Sequence, residues 1–147
     1  MIISKILVPV DLNTQHITSE LCLQASELAL KYDAEINLLA VMPDYGMAIV
    51  ESFFPEDAQK KLKNEFKAKL VELSEKYFTD NSISLTLRQG KTASQILKEA
   101  NKCAPDLIMI GCRRKKSRDN QRFLGSSSSS VADRAKCSVF IVRCKDC

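Results

Sequence analysis

The 147-residue chain has a single histidine, only four glycines and no apolar run near the roughly 18–20 residues of a membrane-spanning helix. The lone His16 leaves little from which to build a Ser-His-Asp triad, and the G-x-S-x-G elbow that would expose a nucleophilic serine is missing. The glycines form neither a G-x-G-x-x-G dinucleotide fingerprint nor a G-x-x-x-x-G-K-[ST] phosphate loop. No basic stretch precedes an apolar one in Met1-Ile2-Ile3-Ser4-Lys5, so no secretory signal is expected. Conventional nucleophilic catalysis and dinucleotide redox chemistry therefore lose their usual machinery.

Cysteine is present but sparsely organised. Cys22 lies in an apolar helical pattern and Cys137 leads into an apolar strand, where buried thiols act as small hydrophobes. Cys144 and Cys147 have C-x-x-C spacing without a second pair, whereas a zinc site needs about four ligands. With no export signal, reduced thiols and a cytoplasmic setting are expected, and no metal site of the chain's own. Cys112, beside cationic neighbours, reads either as an inert or as an activated thiol.

Charge is unevenly spread. Residues 1–110 carry 12 Lys+Arg against 15 Asp+Glu, and residues 111–147 carry 10 against 3. Most of the excess is Arg113, Arg114, Lys115, Lys116, Arg118 and Arg122. Such a cluster reads as a solvated loop or as a contact for an anion, and the modest overall charge of +4 disfavours a dedicated nucleic-acid binder.

The apolar runs at 2–10, 36–41, 107–110 and 138–143 predict strands buried in a parallel sheet, and the alternation at Ile83, Leu85 and Leu87 predicts a half-buried or edge strand. Helical spacing recurs through Leu21, Cys22, Ala25, Leu28, Ala29 and Tyr32. It recurs again through Leu62, Phe66, Leu70, Leu73 and Tyr77. Thr92-Ala93-Ser94-Gln95 fits a capping box before Ile96, Leu97, Ala100 and Cys103. A short helix is expected after Gly125, and residues 44–54 are apolar enough to predict a packed connection. Alternating strands and helices with apolar strands define one doubly wound α/β domain.

In such sheets ligands bind beyond the strands' carboxyl ends, where strand order reverses. Pro9, Val10 and Asp11 follow the first strand, Val41 ends the second, and Gly111 ends the fourth. Gly125, Ser126 and Ser127 open the last helix, and read either as a phosphate site or as an ordinary N-cap. Asp11 likewise reads as a ligand contact or as a cap for the turn into the first helix.

Four segments carry a resemblance. Ile6-Leu7-Val8-Pro9-Val10-Asp11, Pro105-Asp106-Leu107-Ile108-Met109-Ile110-Gly111, Leu124-Gly125-Ser126 and Ala135 to Arg143 together resemble the universal stress protein family over essentially the whole chain. Each is weak alone, and the four in order are specific. The resemblance implies a single domain over residues 1–147. Its fold would be the Rossmann-like, adenine nucleotide alpha-hydrolase-like one with a five-stranded parallel sheet. It also implies a cytoplasmic homodimer paired through Val139, Phe140, Ile141 and Val142, and ATP as ligand. Pro9, Val10 and Asp11 would then lie under the nucleotide, with Asp11 reaching the ribose–phosphate region or a nucleotide-bound magnesium ion. Val41 would offer its backbone to adenine, Gly111 would admit the ribose, and Gly125, Ser126 and Ser127 would hold phosphates.

One departure stands out. The ATP-binding members carry G-x2-G-x9-G-[ST], whereas here Arg114 occupies the second glycine's place and thirteen residues, not twelve, separate Gly111 from Gly125. Arg114 has a Cβ and cannot bend freely as glycine does. Arg113 and Arg114 could instead supply guanidinium contacts to phosphate oxygens. The readings this leaves are an adenine-nucleotide-binding stress or regulatory protein, a dimeric interaction module without nucleotide, and slow ATP hydrolysis dependent on Asp11.

Overall fold

A computed structural model describes residues 2–43, 56–112, 115–116 and 122–144. In chain order the elements are β1 (Lys5–Val10), α1 (Gln15–Tyr32), β2 (Glu35–Met42), α2 (Glu56–Tyr77) and β3 (Ile83–Gln89). There follow α3 (Thr92–Cys103), β4 (Leu107–Cys112), the two-residue strands β5 (Lys115–Lys116) and β6 (Arg122–Phe123), α4 (Ser126–Arg134) and β7 (Ser138–Arg143). The five long strands form one parallel sheet in the order β3-β2-β1-β4-β7. This is the α/β architecture expected from the alternating pattern. The small antiparallel β5–β6 pair is an addition that no periodicity announced. Residues 44–54, expected as a packed connection, lie outside the described residues.

Strand order reverses beside β1. The chain steps outward through β2 and β3, then crosses back to lay β4 on β1's other side. Pairing of β1 with β2 runs from Lys5↔Glu35 to Val10↔Ala40, but pairing with β4 covers only Ile6↔Leu107 and Leu7↔Ile108. Pro9, with no backbone N–H to donate, sits just beyond that short ladder. The two central strands are thus laced at their amino ends and unlaced at their carboxyl ends, where a cleft can open.

The lacing is reinforced by Asp106. Its carboxylate accepts hydrogen bonds from the Ser4 N–H (2.9 Å), the Ser4 hydroxyl (2.8 Å) and the Lys5 N–H (3.0 Å). These bonds favour the ionised form and hold the carboxyl below its ordinary pKa.

Helices cover both faces. α1 and α2 seal one over Ile6, Val8, Ile36, Leu38 and Met109, with Leu21, Cys22, Ala25 and Leu70 from the helices. α3 and α4 cover the other over Leu7, Leu39, Ile108 and Ile110, contributing Ile96 and Val131. Side chains from successive strand residues alternate between these two sets, as a two-sided parallel sheet requires.

The capping box is not formed. Lys91 is the N-cap of α3 and no side chain caps it. Gln95 is drawn elsewhere, accepting a hydrogen bond from Arg88 Nε at 2.8 Å. Arg88 also donates to Glu99 (2.9 Å), Glu99 accepts from Asn37 (3.1 Å), and Asn37 accepts from Thr86 (2.8 Å). A buried polar chain thereby ties α3 to β2 and β3. Cys22, Cys103, Cys112 and Cys137 stand outside any disulfide, but Cys144 is disulfide-bonded, against the expectation of reduced thiols throughout.

Candidate functional site

Where β1 and β4 part, a cavity of about 390 Å³ opens at the carboxyl end of the sheet. That volume falls within the range of small-molecule sites. Pro9, Val10, Asp11, Val41, Gly111, Gly125, Ser126 and Ser127 all line it. Residues separated by more than a hundred positions are therefore brought to one place by the topology. Arg113 and Arg114 lie outside the described residues.

The lining is polarised. On the β2 side the wall is Ala40, Val41 and Pro43, joined by Phe66 from α2. On the β4 side it is Ile110 and Gly111 with the start of α4, Gly125 to Ser128, which carries the hydroxyls. Asp11, Leu12 and Asn13, the loop leaving β1, lie between. An amphiphilic ligand with an apolar head and an anionic tail fits that sequence of surfaces.

Asp11 organises its own loop. Its carboxylate accepts the Asn13 N–H (2.9 Å) and the Thr14 hydroxyl (3.1 Å), and its carbonyl accepts the Thr18 hydroxyl (2.6 Å). Thr14 is the N-cap of α1 by position but makes no side-chain cap bond, because its hydroxyl is turned to Asp11. The turn-stabilising reading of Asp11 is thus present in the structure, and the residue still lines the cavity.

The two glycines of the site differ. A Cβ on Gly111 would come within 2.6 Å of Ile17 Cγ1, so the absent side chain lets α1 approach β4. Packing alone therefore demands glycine here, and the residue also lines the cavity. Gly125 has φ −58, a value any residue adopts, and a Cβ there would meet nothing within 4 Å among the described residues. No demand of the described fold makes it glycine. Its bareness keeps the approach to α4 open.

α4 begins with Ser126, Ser127 and Ser128, and no side chain caps it. The first N–H groups of a helix have no partner within it, and the helix dipole places partial positive charge there. Ser128 is buried and donates to the Gly111 carbonyl at 3.1 Å, fixing α4 against the end of β4. The N-cap reading of Ser126 and Ser127 fails by one position, since Gly125 is the cap.

Sequence reasoning missed several lining residues. Asn13 and Thr18 come from the α1 entry, and Thr92 and Ile96 from α3. Phe66 was read as part of α2's core stripe, whereas it faces this cavity. For Thr92, the position just after the β3–α3 turn was the available signal. Among the described residues no cluster of three or more His, Cys, Asp or Glu could hold a metal ion.

At the edge of the sheet, Val139 and Ile141 pack with the α3–α4 cluster and Val142 with the α1–α2 cluster. Phe140 is 45% exposed, and among the described residues β7 pairs only with β4. No helix of the described residues is long and apolar enough to cross a membrane.

A doubly wound α/β domain with a ligand-sized cavity at its switch point is the class these features define. The sequence matches the universal stress protein family over residues 3–143, and the chain belongs to that family. No curated protein matches it significantly. Solved structures share the fold. One of a hypothetical protein, MJ0577, has TM-score 0.82 at 22% identity and covers all of both chains. The universal stress protein UspA of Lactobacillus plantarum has TM-score 0.72 at 21% identity, covering 97% of this chain and 99% of its own. A universal stress protein in complex with cAMP has TM-score 0.70 at 19% identity, covering 99% and 100%.

Proposed function

We propose that this universal stress protein binds an adenine nucleotide, ATP by the family resemblance, in the cavity between β1 and β4. The observation that carries the reading is the uncapped start of α4, with bare Gly125 and two serines, opening onto a cavity whose opposite wall is apolar. Backbone N–H groups and hydroxyls at a helix start suit phosphate oxygens. Val41 and its apolar neighbours suit a base, and Asp11 lies where ribose hydroxyls would fall between them. Related folds crystallised with cAMP, with dAMP (an Archaeoglobus fulgidus protein) and with AMP (an Arabidopsis thaliana protein) support the choice of ligand. Asp11 is the single carboxylate in the described lining, so a magnesium ion would arrive on the phosphates instead of in a protein cage. Arg113 and Arg114 are placed in this reading as phosphate contacts.

The test is calorimetric titration and thermal shift with Mg-ATP and AMP, on wild type and Gly125→Val. Wild type should bind, and Gly125→Val should weaken binding at least about tenfold while the ligand-free melting temperature stays within about 2 °C, as for an exposed, unstrained position. No binding of any adenine nucleotide at millimolar concentration would refute the proposal.

A second reading concerns assembly, and β7 favours it. Its outer edge is unpaired among the described residues and Phe140 is exposed beside it. Pairing two copies through Val139 to Val142 would cover both. Phe140→Lys should convert a dimer to a monomer in sedimentation equilibrium, and a wild-type protein monomeric at 100 μM would end this reading.

A further inference from the structure

The α2 stripe changes partners along its length. Leu70 is buried in the α1–α2 core, and Leu73 and Tyr77 pack against the same cluster. Phe66, one turn toward the amino end on the same face, is half-buried and joins neither core cluster among the described residues. It lines the cavity instead. Helices of a parallel α/β unit run antiparallel to the strands, so α2's amino-terminal half stands at the carboxyl end of the sheet, where the cavity is.

This places an aromatic ring on the apolar side of a polarised site. Ala40, Val41 and Pro43 share that side, while the hydroxyl and N–H groups of α4 are across β1. An apolar residue excluded from the core, yet aimed at a cavity, leaves carbon surface that a planar ligand can cover. We infer that Phe66 is the wall against which the base of the bound nucleotide stacks, and that its face makes the site favour purines over pyrimidines. The inference rests on the nucleotide reading above, and adds the residue that selects the base. A purine presents two fused rings to Phe66 and a pyrimidine one, so the larger overlap binds better.

The experiment uses ATP, UTP and inorganic tripolyphosphate as probes on the full chain, with Phe66→Ala, Phe66→Leu and Phe66→Trp. Base–aromatic stacking corresponds to an affinity loss of about 5- to 140-fold on truncation to alanine. Phe66→Ala should therefore weaken ATP by about tenfold or more and UTP by less, and leave tripolyphosphate unchanged. Phe66→Leu keeps an apolar side chain that can pack, and should lose most of the ATP preference while melting near wild type. The chain has no tryptophan, so Phe66→Trp provides a lone fluorophore at the site. Its emission should be quenched by ATP and not by tripolyphosphate. If wild type binds ATP and the Ala and Leu variants bind it equally well, the stacking role is overturned while the nucleotide site stands. If wild type binds ATP no better than tripolyphosphate, the nucleotide reading itself fails and this inference with it.

Discussion

The two faces of the sheet are held by different kinds of contact. Under α1 and α2, seventeen buried residues among those described form a continuous apolar cluster. Under α3 and α4 the corresponding cluster among the described residues has six, with half-buried apolar residues such as Ala100, Val139 and Ile141 around it, and a polar chain is added. There Thr86, Asn37, Glu99, Arg88 and Gln95 hydrogen-bond in sequence across β2, β3 and α3. Apolar packing is non-directional and tolerates sliding of a helix on its sheet. A hydrogen-bonded chain does not, since one turn of slip would strand Glu99 without its partners. The α3 face therefore gives up carbon contact for a fixed position. That position matters because Thr92 and Ile96, on the same helix, line the cavity.

Truncation on each face would measure the contrast. Leu38 is fully buried under the α1–α2 helices, and Leu38→Ala should cost about 2–5 kcal/mol and lower Tm by roughly 5–15 °C in calorimetry. Arg88→Met should cost somewhat less, about 2–3 kcal/mol, because Glu99 is left charged and buried while the lost arginine was itself partly solvated. The second variant should also weaken nucleotide binding by displacing α3, which Leu38→Ala should not do beyond its effect on stability. Equal losses of affinity at matched stability would show that the polar chain positions nothing.

The smallest effect lies in thiol chemistry. Cys22 is fully buried on the α1–α2 face, and burial pushes its thiol up to about 12. On the other face Cys103 and Cys137 are half-buried, with thiols also raised chiefly by burial. The thiolate is the nucleophile, so raising the pKa slows alkylation at a given pH, and access slows it further. Iodoacetamide at pH 8 should modify Cys103 and Cys137 before Cys22, with Cys22 labelled only as urea unfolds the chain. Mass spectrometry of the labelled peptides reads the order. Simultaneous labelling would mean that the first face is no better sealed than the second.

What the sequence made legible follows the same division. Strand and helix runs such as Ile36 to Val41 and Leu70 to Tyr77 announce themselves because apolar burial repeats with backbone period. Asn37 sat inside one of those apolar runs, and its role depends on Thr86 and Glu99, which are distant in sequence. Gln95 matched a local capping pattern, but Arg88 offered a charge-assisted partner and the tertiary contact prevailed. Eight candidate residues at the cavity were found because topology places strand ends together by rule. Phe66 and Gly111 each hold something that no local pattern announced. A phenylalanine on a helical stripe looks like core but lines a cavity, and a glycine at a strand end stands at that cavity and also accommodates Ile17.

The hydrogen bond between Asp106 and Ser4 spans 102 positions of the chain. At a synthesis rate of about 5–20 residues per second, β1 leaves the ribosome roughly 5–20 s before the strand that completes its pairing exists. During that interval β2 can cover one edge of this largely apolar strand, and the other edge must wait. The central position of β1 thus carries a cost in time: its second edge stays open until β4 arrives, and the cleft that β4 and β1 later share cannot take shape before then.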